Sequence, residues 1–298
     1  MNVNNQVVTD KYVLYHGDSC EIIKGIPDNS IHYTIFSPPF SSLYTYSNSD
    51  RDMGNSHSDE EFYEHFKYLA ADLYRVTMPG RLLSFHCMDI PMMKERDGVI
   101  GLKDFPSLVR KIFEDCGFIY HSKVTIWKNP VTEMQRTKAI GLLWKQIKKD
   151  STMNRQGLPD YIITMRKPGD NPEAVTHTDR TFPCDVWQQY ASPVWMDINQ
   201  SDTLQRESAR DEKDERHIAP LQLEVIRRCI ELWTNPNDIV YDPFGGIGST
   251  PYVAMKLRRR AIASELKDSY YAQMVQNVQG VKIPKLDLLQ VGSKTIKL

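Results

Sequence analysis

Ile239-Val240-Tyr241-Asp242-Pro243-Phe244-Gly245-Gly246-Ile247-Gly248-Ser249-Thr250 is the stretch on which the reading of the fold turns. The apolar residues at 239–241 predict a buried strand, the glycines a tight turn, and the residues from Ser249 a helix. This order holds a ligand against backbone amides at a helix N-terminus. A phosphate-cradling loop needs lysine before its Ser/Thr, and Gly248 precedes Ser249 instead, which disfavours ATP. A dinucleotide fingerprint needs a third glycine three residues after the second. Counted from Gly246 and Gly248 that position is Pro251, which disfavours NAD. The next strand, Arg260-Ala261-Ile262-Ala263-Ser264, ends at Glu265, whose carboxylate can accept both hydroxyls of a ribose. A ribose without a phosphate clamp points to S-adenosylmethionine, whose carboxylate suits the helix dipole and the hydroxyls of Ser249 or Thr250.

A second corner lies near the other end of the chain. Ile31-His32-Tyr33-Thr34-Ile35-Phe36 reads as a buried strand, and Ser37-Pro38-Pro39-Phe40 ends it. Neither proline can donate a ladder hydrogen bond, so the last carbonyls of the strand have no sheet partners beyond this point. The fixed proline φ angles stiffen the loop, Ser37 adds a hydroxyl, and Phe40 adds a flat ring. Such a corner suits one difficult reaction. The amino nitrogen of adenine or cytosine is a poor nucleophile because its lone pair is delocalised into the ring. Acceptors that bind both amino hydrogens draw the nitrogen toward tetrahedral geometry, and a face-on ring holds the base by offset stacking.

Between the two corners the pattern alternates. Tyr12–His16 predicts a strand, ended by Gly17-Asp18, and Ser19 caps a short helix through Lys24. A helix from Ser58 or Asp59 puts Phe62, Phe66, Leu69, Leu73 and Val76 on one face. Pro79-Gly80 ends that segment, and Leu82–His86 forms the next strand. A helix at 108–116, a strand at 118–127 and a strand at Tyr161–Met165 follow, then a helix over Leu221–Trp233 with Pro220 in its first turn. Alternating strands and helices imply an α/β fold with a mostly parallel central sheet covered by helices. Residues 41–58 are polar and aperiodic and read as a long loop beside the Ser37 corner. The catalytic domain is accordingly 1–128, 161–167 and 217–298, and 129–160 with 168–216 is one inserted recognition region.

Composition narrows the class. Hydrophobic residues are 41% and charged residues 25% of 298, the balance of an ordinary globular protein. No apolar run approaches the ~20 residues of a membrane span. Met1–Gln6 lacks the basic and apolar regions of a signal peptide, and the five cysteines are scattered without a Cys-x-x-Cys pair. A cytoplasmic protein with reduced thiols and no metal is the expectation. The net charge of −1 hides a strong asymmetry, with ten Lys/Arg against three Asp/Glu over Lys123–Lys167, and five against eleven over Pro168–Arg216. The basic stretch offers Lys128, Arg136, Lys138, Lys145, Lys148, Lys149 and Arg155 to a nucleic-acid backbone. Trp187, Tyr190 and Trp195 could stack on DNA, although core packing is their more usual use.

The two corners together resemble a known family. Asp242-Pro-Phe-Gly-Gly-Ile-Gly-Ser-Thr250 looks like the cofactor motif of amino-group DNA methyltransferases, and Ser37-Pro-Pro-Phe40 looks like their catalytic motif. The catalytic motif first and the cofactor motif last is the order of the β group, and the resemblance spans about 11–127 and 217–278. It implies a Rossmann-like S-adenosylmethionine-dependent fold in circularly permuted order with an inserted target-recognition region. It implies a base flipped from double-stranded DNA against Ser37, the Pro38 carbonyl, Pro39 and Phe40. Asp242, Phe244, Gly245, Gly246, Gly248, Ser249, Thr250 and Glu265 would form the cofactor site. Gly17-Asp18 resembles the element near the cofactor adenine. His217-Ile-Ala-Pro220 is similar to a His-Pro-x-Gln-Lys-Pro segment beside the methionine end, from which it departs at Ile218 and in lacking the lysine. Serine at the first catalytic position resembles the cytosine-N4 enzymes, yet Phe36 stands where those carry threonine, and adenine N6 stays open. An RNA or protein-glutamine methyltransferase and a non-catalytic DNA-binding protein are the rival readings. A homodimer and a restriction endonuclease on a separate chain are compatible partners.

Overall fold

The computed structural model describes residues 3–39, 58–92, 94–137, 140–204 and 220–282. β1 (Asn5–Val8) and β2 (Tyr12–His16) pair antiparallel at one edge. The short helix α1 (Ser19–Ile22) leads to β3 (Ile31–Phe36), and α2 (Asp59–Val76) leads to β4 (Thr77–Cys87). β5 (Ile90–Met92) and β6 (Gly101–Lys103) form a small antiparallel ribbon flanking α3 (Lys94–Asp97). Then come α4 (Phe105–Asp115), β7 (Ile119–Ile126), α5 (Pro130–Thr137), α6 (Trp144–Ile147), β8 (Asp160–Arg166), α7 (Cys184–Tyr190) and β9 (Val194–Trp195). The closing run is α8 (Leu223–Trp233), β10 (Ile239–Asp242), α9 (Ser249–Lys256), β11 (Arg260–Glu265) and α10 (Asp268–Gln279).

Nine of the described strands join one sheet in the order β1-β2-β11-β10-β3-β4-β8-β7-β9. β2, β11, β10, β3 and β4 are mutually parallel, as the alternation of elements predicts. β8 departs from that expectation and runs antiparallel between β4 and β7. Between β7 and β8 the described helices are α5 and α6, of eight and four residues.

Two apolar layers flank the sheet. On one face α2 and α4 pack against β3 and β4, with Phe62, Phe66, Leu69, Leu73 and Val76 all fully buried. The spacing that predicts this helix is therefore also its contact stripe, and Ser58 caps it by accepting the Glu61 N–H at 3.1 Å. On the other face Val225, Ile226 and Ile230 of α8 lie with Val253 and Ala254 of α9 and with Met274 and Val278 of α10. Trp195 and Ile198, from the expected recognition region, are buried in this second layer, and β9 extends the sheet through β7. Tyr190 is buried as well, whereas Trp187 is exposed.

Three local readings are corrected, and one strand is new. Asp18, not Ser19, caps α1, because its side chain accepts the Cys20 N–H at 2.9 Å. Pro79-Gly80 does not separate helix from strand; β4 begins at Thr77 and passes through both residues. Gly80 permits this at φ +72°, where a Cβ would meet the Asn171 backbone at 2.7 Å. Pro220 precedes α8 instead of lying in its first turn. The edge strand β1 has no apolar alternation strong enough to announce it and is mostly exposed.

The edge of the sheet opposite the strand C-termini is tied by charge. His32 Nδ1 accepts the Ile239 N–H at 3.1 Å, so its protonated Nε2 faces Glu173 at 3.1 Å and Asp238 at 3.7 Å. The buried Arg81 donates to the other oxygen of Asp238 at 3.1 Å. With the imidazole proton and a guanidinium aimed at these carboxylates, the group is an ion network holding β3, β4 and β10 in register.

Candidate active site

β3 and β10 are adjacent and parallel, with Val240 opposite Tyr33 and Tyr241 opposite Thr34. Their C-terminal ends therefore leave the sheet side by side, about 4.8 Å apart. Ser37 follows one and the glycine turn follows the other. Two contacts join the corners directly: the buried Thr250 hydroxyl donates to the Ile35 carbonyl at 3.3 Å, and the Phe36 and Phe244 rings lie 5.7 Å apart. Segments more than 200 residues apart in the chain thus share one sheet edge. Phe40, Lys138 and His217 lie outside the described residues, as does the side chain of Arg136.

The glycine turn is shaped by its surroundings. Gly248 has φ +93°, and a Cβ there would meet Met274 Cγ at 3.0 Å and Met274 Cα at 3.3 Å, so glycine is required both for conformation and for the approach of α10. Gly246, at φ +52°, is different: among the described residues a Cβ there would have only the Phe244 carbonyl oxygen within 4 Å, at 3.9 Å. Gly248 is also the N-cap of α9 and brings no side-chain cap. The Glu265 carboxylate accepts the Gly246 and Lys267 N–H groups, each at 2.8 Å, and so is fixed at the lip of the turn. Gly17 N–H donates to the Glu265 carbonyl at 2.9 Å, which brings Asp18 to the same lip. Ser19 donates from below to the Pro243 carbonyl.

Asp242 is the buried foundation of this half. Its carboxylate accepts the Phe244 N–H at 2.9 Å. Burial pushes its carboxyl up to about 7 and Glu265 adds to the rise, against the opposing hydrogen bonds from Thr250 and Phe244. A glycine turn, a helix N-terminus without a side-chain cap and a pinned carboxylate fit a small zwitterion carrying a ribose, which S-adenosylmethionine is.

The other half contains residues that the sequence reading missed. Ser37 Oγ lies 3.1 Å from His86 Nδ1. His86 Nε2 lies 3.2 Å from Asp160 Oδ2, and the second Asp160 oxygen contacts Lys128 Nζ. Burial alone would raise the Asp160 carboxyl, but His86 and Lys128 outweigh it and hold it down at about 2. Lys128 is therefore reassigned: its side chain is only 11% exposed and turned onto Asp160 instead of outward to a phosphate. Arg155 is also engaged, 3.7 Å from Glu133 and donating to the Gln156 carbonyl at 2.9 Å. Lys145, Lys148 and Lys149 are exposed, beside the exposed Trp144.

Comparison with known proteins agrees with this architecture. A family model described as DNA methylase, covering N6 and N4 methyltransferases, matches residues 31–276. The type II methyltransferase M.BglII of Bacillus subtilis is 24% identical over 90% of this chain and 69% of its own. M.MjaI of Methanocaldococcus jannaschii is 22% identical over 94% of this chain and 95% of its own. Among solved structures, the Thermus thermophilus protein TTHA0409 complexed with S-adenosyl-L-methionine superposes with a TM-score of 0.67, at 20% identity over 90% of this chain and 94% of that one. The cytosine-N4-specific PvuII DNA methyltransferase superposes with a TM-score of 0.66, at 18% identity over 95% of this chain and 92% of that one.

Proposed function

The chain belongs to the DNA methylase family whose model spans residues 31–276, and from that premise we propose that it methylates the N4 amino group of a cytosine flipped out of duplex DNA. It is an S-adenosylmethionine-dependent DNA methyltransferase acting on an exocyclic amino group. The observation that supports one shared pocket is the contact between the ends of the two strands, through Thr250 with Ile35 and Phe36 with Phe244, and the serine at position 37 is what favours cytosine.

S-adenosylmethionine supplies an electrophilic methyl group on a sulfonium sulfur. Every other part of the chemistry falls to this chain. Glu265 would take the ribose hydroxyls, Asp18 would border the adenine, and the amides opening α9 with Ser249 and Thr250 would take the carboxylate. Ser37 and the Pro38 carbonyl would accept the two amino hydrogens of the base and return the lone pair to nitrogen. Phe40 would stack on the base face. The nitrogen sheds a proton once it has been alkylated, so the site needs positioning and a dry wall more than a strong base. Lys145, Lys148 and Lys149, with Arg136 and Lys138, would follow the DNA backbone from the recognition region at 129–160 and 168–216. Serine in place of an acid or amide at the first catalytic position favours cytosine. Type II modification implies a restriction endonuclease on a separate chain as its biological counterpart.

The test is to incubate the protein with duplex DNA, RNA and protein in parallel, digest the products, and weigh them. N4-methylcytosine from duplex DNA is the expected product. N6-methyladenine alone would overturn the base assignment, and methyl groups appearing only in RNA or protein would overturn the substrate.

A further inference from the structure

Four residues form a diagonal row across the edge of the sheet. Phe36 pairs with Phe85, so Ser37 and His86 are the next residues out on the parallel strands β3 and β4. β8 enters antiparallel, pairing Cys87 with Tyr161, which sets Asp160 just beyond His86. Ile126 pairs with Asp160 from the far side, and Lys128 follows two residues later. Register sets Ser37 beside His86, Asp160 lies two residues past Ile162, the β8 partner of His86, and the side chains close this diagonal: Oγ to Nδ1 at 3.1 Å, Nε2 to Oδ2 at 3.2 Å, and Oδ1 against Nζ. His86 and Asp160 are 12% and 5% exposed at the side chain.

We propose that His86 and Asp160 are positioning residues that make the Ser37 hydroxyl a fixed hydrogen-bond acceptor for the amino group of the target base. The inference rests on the methyl-transfer reading above and deepens it. An ionised carboxylate only accepts, so the imidazole nitrogen facing Asp160 carries hydrogen; a lone pair there would oppose the oxygen at 3.2 Å. In the neutral ring Nδ1 is then a lone pair, and Ser37 is the hydroxyl beside it. The serine proton is thereby committed to His86, and both serine lone pairs are left for the substrate side. A serine without this partner could rotate and present its own proton to the base, which would repel an amino hydrogen instead of binding it. The Asp160 carboxylate facing Nε2 also polarises the ring toward the Ser37 hydroxyl. Lys128 lies against the second Asp160 oxygen and balances the carboxylate charge.

The test is a set of rates and affinities on the full chain with duplex DNA. His86→Gln keeps an amide that reaches Asp160 but offers nothing to Ser37. His86→Asn keeps an acceptor near the Nδ1 position but does not reach Asp160. Each is made alone and combined with Ser37→Ala. The expected result is a single-turnover rate about tenfold lower for His86→Gln. Its calorimetric affinity for S-adenosylmethionine stays within about twofold, which also reports that the variant is folded. His86→Asn recovers a part of the lost rate. In the Ser37→Ala background neither change lowers the rate further. A wild-type rate in His86→Gln overturns the proposal. So does a loss that persists undiminished in the Ser37→Ala background, because His86 would then act through packing. If His86→Gln fails to bind S-adenosylmethionine, the comparison is made with His86→Asn, whose rate must fall with Ser37 present and not with it removed. A wild-type protein that methylates no DNA removes the functional reading itself, an outcome distinct from any difference among the variants.

Discussion

The turn after β10 and the corner after β3 leave the same sheet edge side by side, and they are made from different materials. The proposed cofactor turn is backbone: glycines at φ +52° and +93°, two amides on one carboxylate, and a helix that opens without a side-chain cap. The proposed catalytic corner is side chain: a serine, a histidine, an aspartate and a lysine delivered by four neighbouring strands. Each half contains a buried aspartate, and the two are displaced in opposite directions. Asp242 has amide and hydroxyl partners and no cation among the described residues, so burial dominates and lifts it to about 7. Asp160 has His86 and Lys128, and is held at about 2. Burial tells little about a carboxylate until its partners are known.

The largest expected contrast is in stability against pH. Because Asp242 is raised in the folded state, its contribution is favourable below pH ~4 and is lost as pH climbs to about 7, a change of roughly 4 kcal/mol. Because Asp160 is lowered, its contribution of roughly 2 kcal/mol is present above pH ~4 and is lost as pH falls through about 2. Urea unfolding across pH should show Asp242→Asn flattening the neutral limb alone and Asp160→Asn flattening the acid limb alone. One aspartate governing both limbs would break the contrast.

Gly248→Val attacks the backbone half. It combines a disfavoured φ with the Met274 contact, about 3 kcal/mol in all, and should weaken S-adenosylmethionine binding by at least ~100-fold in calorimetry. Ser37→Ala attacks the side-chain half. It should lower the single-turnover rate by ~100-fold, the usual worth of one preorganised polar group at a reacting atom. Replacing Lys145, Lys148 and Lys149 together by alanine touches neither half. DNA affinity should fall and the slope of log affinity against log salt should flatten by about 2.7, with the rate at saturating DNA unchanged.

The same difference in material decides what was legible in the sequence. A backbone site leaves a contiguous trace, because the glycines and prolines that bend a chain must sit where it bends; hence 37–39 and 242–250 could be read directly. The parallel centre of the sheet was equally open, since apolar runs and helix stripes such as Phe62, Phe66 and Leu69 alternate along the chain. His86 and Asp160 left no such trace. Each is an ordinary polar residue at a strand end, and only the antiparallel entry of β8 brings them together. Lys128 was misread for the same reason, because a lysine count cannot tell a charge facing solvent from one facing a carboxylate.

The division of labour between the halves is tested most directly by measuring cofactor affinity and single-turnover rate on Glu265→Ala and Ser37→Ala in parallel, at saturating DNA. Glu265→Ala should lose affinity for S-adenosylmethionine and return to near the wild-type rate when the cofactor is raised to saturation, while Ser37→Ala should keep the affinity and stay slow at every cofactor concentration. Equal loss of both quantities in both variants, or a Ser37→Ala protein that runs at the wild-type rate, would contradict a single pocket built from these two corners.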